Sequence, residues 1–216
     1  MLTIERFVCN PIRENTYVVS DETKEAVIID CGVYYDTEKV ALKQYITENG
    51  LTPRHLIATH GHVDHNLGDK FVFESWGLKP EMDGSDAHFI AELPQHAKDV
   101  LGIDGMTNDD FIPAGRCLNG ADTIEFGTHK FTILETPGHS PGSVVYYCEP
   151  EKVAFTGDTL FRGTIGRTDV VEGSMFMIIQ SLRMLSQLPD DVKVYPGHGS
   201  ATTIGQEVAT NPYLDR

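Results

Sequence analysis

The chain has 216 residues, of which 40% are hydrophobic and 23% charged, an ordinary globular balance that supports one domain with a sizeable core. Thirty-two Asp and Glu against 17 Lys and Arg give a formal net charge of −15, which argues against nucleic acid as a partner, because phosphate binding needs a positive field. Divalent ions bound in a pocket would offset part of that charge locally.

Taken in chain order, residues 2–8, 16–20 and 26–30 read as short strands, β-branched and bounded by polar or turn residues. Residues 37–48 place Val40, Leu42, Tyr45 and Ile46 on a helical face, stopped by Gly50. A strand at 55–58 runs into the sequence ThrHisGlyHisValAspHis, and a helix is expected over 66–76, with Leu67, Phe71 and Val72 inward. The stretch 77–120 is the least regular, Asp- and Gly-rich, with one helix around 86–100. It reads as an insertion or lid, because its apolar content is thin for a core of its own. Strands follow at 122–126, 130–135, 143–148 and 152–156, then a helix at 174–187 ended by Pro189, a strand at 192–195, and a short helix within 202–212. This order fits two sheets covered by helices on their outer faces.

The chemistry concentrates in His60-Gly61-His62-Val63-Asp64-His65, three imidazoles and a carboxylate in six residues. That donor set suits zinc, iron or manganese better than calcium or magnesium. Ligands one residue apart face the same way on extended backbone, whereas Asp64 and His65 would turn onto the start of a helix and aim at a second point. Three further candidates each follow an apolar strand and sit beside Gly: His139 in ThrProGlyHisSerProGly, Asp158 in PheThrGlyAspThrLeu and His198 in TyrProGlyHisGly. Glycine lets the chain turn sharply and lets ligands crowd round an ion, and strand-end loops are where rigid scaffolds display function.

With these motifs in this order, the chain resembles the metallo-β-lactamase-fold hydrolases, and among them the glyoxalase II-like branch. The segment GlyAspThrLeuPheArgGlyThrIleGlyArgThrAsp resembles the short, single-domain bacterial members. The resemblance implies an α/β fold, an αββα four-layer sandwich of two mixed sheets, with a site for two divalent metal ions at one sheet edge. It assigns His60, His62 and His139 to the first ion, Asp64, His65 and His198 to the second, and Asp158 to a bridging position. Asp30 would support the His loop without touching an ion. Water shared by two such ions loses a proton near neutral pH, so the expected activity is hydrolysis of a small, hydroxyacylglutathione-like thioester, with Asp64 and Asp158 as the catalytic carboxylates. Zinc is the expected metal, with iron or manganese as alternatives.

Longer members of the branch carry a helical C-terminal domain that helps grip glutathione, and this chain ends soon after His198. Arg167 matches a basic residue that contacts the glutathione moiety in those enzymes, but Asp169 stands where they tend to place tyrosine. Arg167 is therefore read either as a substrate contact or as an ion-pair partner of Asp169 or Glu172. His55, His88, His96 and His129 match no ligand position, although His96, Tyr34, Tyr35 and Phe161 are candidates for the pocket wall.

Competing readings use the same scaffold. In a persulfide dioxygenase, His60, His139 and Asp158 would hold a single iron through two imidazoles and a carboxylate. A lactonase would act on a more apolar substrate. A β-lactamase is disfavoured by Asp158, where many such enzymes place Cys, and a nuclease by the net charge. A binding module with a structural metal is disfavoured because structural zinc sites are closed and Cys-rich. The four cysteines, Cys9, Cys31, Cys117 and Cys148, form no CxxC pair and are expected as reduced, buried thiols. Neither a signal-like N-terminus nor a membrane-length apolar run is visible, so a cytoplasmic enzyme acting on a small molecule, away from membranes, is the expectation.

Overall fold

A computed structural model of the protein describes residues 1–214. The first half forms β1 (Thr3–Cys9), β2 (Glu14–Ser20), β3 (Glu25–Ile29), α1 (Asp36–Glu48), β4 (Thr52–Ile57), α2 (Asp69–Trp76), β5 (Pro80–Asp83), α3 (Leu93–Leu101) and β6 (Arg116–Leu118). The second half forms β7 (Thr123–Phe126), β8 (His129–Glu135), β9 (Val144–Cys148), β10 (Val153–Gly157), β11 (Leu160–Phe161), β12 (Thr164–Ile165), α4 (Met175–Leu185), β13 (Lys193–Pro196), β14 (Thr202–Thr203) and α5 (Ile204–Thr210). One six-stranded sheet has the order β1-β2-β3-β4-β5-β6 and the other β14-β13-β10-β9-β8-β7, with β11 and β12 as a small separate hairpin.

The two-residue period of the strands builds the layers. Tyr17, Val19, Val27 and Ile29 point inward and meet Phe131, Ile133, Val144, Tyr146 and Phe155 between the sheets. The alternate residues Val18, Ala26 and Ile28 point outward and pack against Leu42 and Ile46 of α1 and Val72 of α2. On the other face, Val145, Tyr147, Ala154 and Val194 pack against Ile178, Leu182 and Leu185 of α4 and Ile204 of α5. The result is the expected αββα sandwich of two mixed sheets. Truncating a fully buried side chain such as Phe155 in its middle layer would cost roughly 3–5 kcal/mol.

Several local expectations are corrected. The segment 77–120 is not merely irregular: β5 and β6 complete one edge of the first sheet in parallel register. Within it, Ala87–Glu92 is a 3-10 turn that runs into α3, in place of one helix over 86–100. The helix expected at 66–76 begins only at Asp69, because Val63–His65 winds into its own 3-10 turn. Cys117 lies exposed on the edge strand β6, whereas Cys9, Cys31 and Cys148 are buried free thiols as expected. Among the described residues no helix is long and apolar enough to cross a membrane.

Parallel pairing fixes where the site forms. β3 and β4 run parallel and end together, so Asp30 and the His60 loop emerge side by side. In the second sheet β10 and β13 run parallel and deliver Asp158 and His198 together, joined by the Gly197 N–H donating to the Gly157 carbonyl at 2.8 Å. The Val144 N–H donates to the Thr59 carbonyl at 2.8 Å and ties the two sheet edges to each other.

Candidate metal centre

The seven candidate ligands converge at this edge. Ring or carboxylate atoms of His60, His62 and His139 lie within 4.8 Å of one another, as do those of Asp64, His65 and His198. A third set, His60, His65 and Asp158, spans the space between the first two. His62 Nδ1 faces His139 Nε2 at 2.9 Å, and His198 Nε2 lies 3.1 Å from Asp64 Oδ2. Asp158 is central, with His65 Nε2 3.5 Å from its Oδ1, and His139 Nε2 and His198 Nε2 at 3.6 and 3.7 Å from its Oδ2.

Whether these residues fit metal ions can be tested on their unmet bonding. His60 Nε2, both ring nitrogens of His65 and Asp158 Oδ1 are buried without a hydrogen-bond partner. Each such atom costs about 1–3 kcal/mol when left unsatisfied, and five imidazoles with two carboxylates form a donor set suited to zinc or iron. The residues fit two divalent ions.

The electrostatics divide the rings: burial opposes protonation of His65 and His198, but the carboxylates of Asp64 and Asp158, with Asp30 beside His65, outweigh it and raise both, so protons stand there where an ion would. Burial and the neighbouring imidazoles of His65, His62, His139 and His198 hold His60 well below its ordinary value, and burial with His139 beside it takes His62 down to about 4. Both rings are thus neutral, the form that binds a metal. Burial works against ionisation of Asp64 and Asp158, yet the His65 charge outweighs it and both carboxyls titrate below the usual range.

The ring orientations are set from outside. His139 Nδ1 donates to the Arg167 carbonyl at 2.8 Å, which leaves Nε2 free to face the cluster. Asp30, 1% exposed and at φ +52°, accepts from the Thr59 N–H at 2.6 Å and the Thr59 hydroxyl at 2.8 Å, and its Oδ2 lies 3.1 Å from His65 Nδ1. The pair with His65 does not meet in hydrogen-bond geometry, so there the contact is electrostatic. Thr59 Oγ1 in turn lies 3.1 Å from His60 Nδ1.

Arg167 sits differently from the other candidates. Its side chain is 73% exposed and pairs with Asp169 at 2.9 Å, the ion-pair alternative of the sequence reading. Its backbone carbonyl, not its guanidinium, touches the ligand cluster, through His139 Nδ1. The Phe161 ring lies 6.1 Å from that of His198, and Phe89 lies 5.8 Å from His62 and 6.4 Å from His96. His88 pairs with Glu172 at 3.6 Å, His55 with Glu81 at 2.6 Å, and His129 with Asp21 and Glu151, all outside the cluster. Tyr34 lines a separate cleft of about 340 Å³ with Lys39, Lys70 and Phe71.

Besides Thr59, sequence reasoning missed two supporting residues. Asn66 Nδ2 donates to the His60 and His62 carbonyls at 3.2 and 2.7 Å and shapes the loop from within. Asp86, fully buried, accepts from the Gly61 N–H, the Gly142 N–H and the Ser140 hydroxyl. Asn66 immediately follows the motif and could have been suspected there. Asp86 lies in an Asp- and Gly-rich stretch where nothing local separates it from a turn residue.

Comparison with known proteins agrees with this geometry. The profile of the Metallo-beta-lactamase superfamily matches residues 9–198. The chain is 37% identical over 99% of both chains to the hydroxyacylglutathione hydrolase GloC of Haemophilus influenzae, and 33% identical to the probable metallo-hydrolase YqgX of Bacillus subtilis, over 97% of this chain and 96% of that one. Among solved structures it is similar to the BLEG-1 B3 metallo-beta-lactamase, with TM-score 0.88 and 34% identity over 98% of this chain and 99% of that one. It is also similar to TTHA1623 in a di-iron-bound form, with TM-score 0.83 and 31% identity over 97% of this chain and all of that one. Fold, ligand cluster and sequence likeness converge, and the chain belongs to the metallo-β-lactamase superfamily.

Proposed function

We propose that this protein is a binuclear metallo-hydrolase that cleaves a small thioester of the hydroxyacylglutathione kind. The observation that carries the proposal is the pair of ligand sets, His60/His62/His139 and Asp64/His65/His198, with Asp158 between them. The 37% identity to a hydroxyacylglutathione hydrolase along the whole chain favours the thioester over other acyl substrates.

When bound, two divalent ions bring the pKa of water near neutrality and polarise a carbonyl oxygen. The chain's own groups do the rest. His139 is held in one tautomer by the Arg167 carbonyl, and His65 is biased toward one by the Asp30 carboxylate. Asp64, its Oδ2 3.3 Å from His65 Nε2 and 3.1 Å from His198 Nε2, would accept a hydrogen bond from the attacking water and orient it. Asp158 keeps negative charge at the centre, which neutralises part of the ions' charge. Phe89 and Phe161 supply apolar walls beside His62 and His198, and the segment 77–120 forms one side of the substrate cleft. A thiolate leaves without a strong acid, which suits a site whose imidazoles are occupied as ligands.

The test is an assay of metal-loaded protein with a hydroxyacylglutathione thioester, a β-lactam and a persulfide, the last with oxygen uptake recorded. Thioester turnover well above the other two supports the reading. Oxygen consumption with a single bound iron would replace it with the dioxygenase alternative. Dominant β-lactam turnover would align the chain with its B3 structural neighbour.

A further inference from the structure

We infer that Asp86 is a positioning residue that couples the segment 77–120 to the first ligand set, so that filling that set orders the segment and loosening the segment weakens that set. The inference rests on the proposed binuclear reading. All three ligands of the first set stand on two loops: His60 and His62 flank Gly61, and His139 precedes Ser140. Asp86 belongs to neither loop and bonds to both. Its Oδ2 accepts from the Gly61 N–H at 2.8 Å and the Ser140 hydroxyl at 2.6 Å, and its Oδ1 accepts from the Gly142 N–H at 2.6 Å.

The fit leaves no slack. A Cβ at Gly142 would lie 2.6 Å from Asp86 Oδ1, and one at Gly61 would lie 2.9 Å from the Asp86 carbonyl. The next residues of the segment carry the connection into the cleft, since Phe89 packs on the His62 ring and Leu93 and Ala97 pack with Val63, the residue between His62 and Asp64. Of the second set only His198 lies outside the His60 loop, after β13, and the Asp86 carboxylate is bonded to Gly61, Ser140 and Gly142 instead. Asp86 thus holds both loops of the first set but only the shared His60 loop of the second, so its effect is larger on the first set. By reciprocity, an ion that favours the bonded arrangement stabilises the segment by the same factor that the segment contributes to its binding.

Asp86→Asn tests this, because an amide is nearly isosteric but always presents its NH₂ to a position now occupied by donors. Zinc is removed from wild type and variant with graded chelator, and the step belonging to the first set is identified as the one missing in His62→Ala. Hydrogen exchange over residues 84–111 is followed in the same samples. We expect Asp86→Asn to weaken the first step about 10- to 100-fold, the usual effect of losing a group that supports a ligand. The second step, whose Asp64 and His65 share the Gly61 loop, should weaken clearly less than the first, and zinc should lose its slowing of exchange over 84–111. Ser140→Ala, which removes one of the three bonds, should shift the same step by less, and it serves if Asp86→Asn does not fold. Equal weakening of both steps, or no change in either, overturns the inference. A wild type with a single zinc step refutes the binuclear reading instead, and the Asp86 effect is then still legible as loss or retention of that one step relative to His62→Ala.

Discussion

Asp30→Asn isolates how the backbone beside the site prepares a ligand. Asp30 lies at φ +52°, a left-handed conformation that Asn tolerates nearly as well as Asp, so the substitution adds no backbone strain of its own. The amide oxygen can keep the 2.6 Å bond from the Thr59 N–H, and the Thr59 hydroxyl can turn to accept from the new NH₂. What is lost is the charge on those bonds, the difference between a charge-assisted and a neutral hydrogen bond, or about 1 kcal/mol of folding stability. The larger effect falls on His65. His65 is charged without an ion, and with the Asp30 carboxylate 3.1 Å away the proton it keeps when an ion displaces one is that on Nδ1, which leaves Nε2 as the ligand. An Asn NH₂ in that place favours the opposite tautomer and puts the proton on the ligating nitrogen. Affinity at the second set should fall about 10- to 100-fold, or roughly 1.4–2.8 kcal/mol, while the first set is spared. Isothermal titration of metal-free protein with zinc, paired with thermal melts, reads both quantities. An Asp30→Asn variant that binds two zinc ions with unchanged affinity would refute the tautomer argument. A fall in melting temperature large enough to lose both sites would show that Asp30 acts chiefly on folding.

Other predictions are narrower. Arg167→Ala should leave metal content and melting temperature unchanged, since its ion pair with Asp169 is exposed and only its backbone carbonyl supports His139. If the guanidinium grips a substrate carboxylate, KM for the thioester rises about tenfold or more, and an unchanged KM removes that role. Gly166→Ala should destabilise the protein by about 3 kcal/mol, because a Cβ there collides with the Asp158 carbonyl and presses on the His139 ring. A melting temperature equal to wild type would show that the loop can yield. His129 supplies a pH-dependent contribution remote from the metals. Burial opposes its protonation, but the bonds to Asp21 and Glu151 outweigh burial and raise its value. A raised histidine stabilises fully below its unfolded value of about 6.5 and loses that contribution as pH climbs through the folded value. His129→Ala should therefore cost more stability at pH 6 than at pH 9, and denaturation midpoints that fall equally at both would contradict the assignment.

The layers of this fold were readable because the short β-branched and aromatic runs in 16–20, 26–30 and 143–148 are a local property, and the structure keeps them as strands buried on both faces. β5 and β6 were not readable. ProGluMetAsp and ArgCysLeu are short and polar, and they become strands only because β4 offers unpaired backbone to the first, which in turn offers its own edge to the second. The His60 loop announced itself through contiguous chemistry, and His139, Asp158 and His198 through Gly-flanked strand ends. Asp86 and Thr59 carry no such mark: their importance lies in which backbone N–H or carboxylate they meet, a fact of tertiary structure. Arg167 shows the reverse limit, since its place near the cluster was readable but the direction of its side chain was not.

A stoichiometric titration decides most directly whether the protein is a two-ion thioester hydrolase. Metal-free protein is titrated with zinc while hydrolysis of a hydroxyacylglutathione thioester is followed. Turnover is expected to climb until two equivalents are bound and then level off, with His60→Ala inactive at every point. A plateau at one equivalent, or zinc-replete protein that leaves the thioester intact, would contradict it.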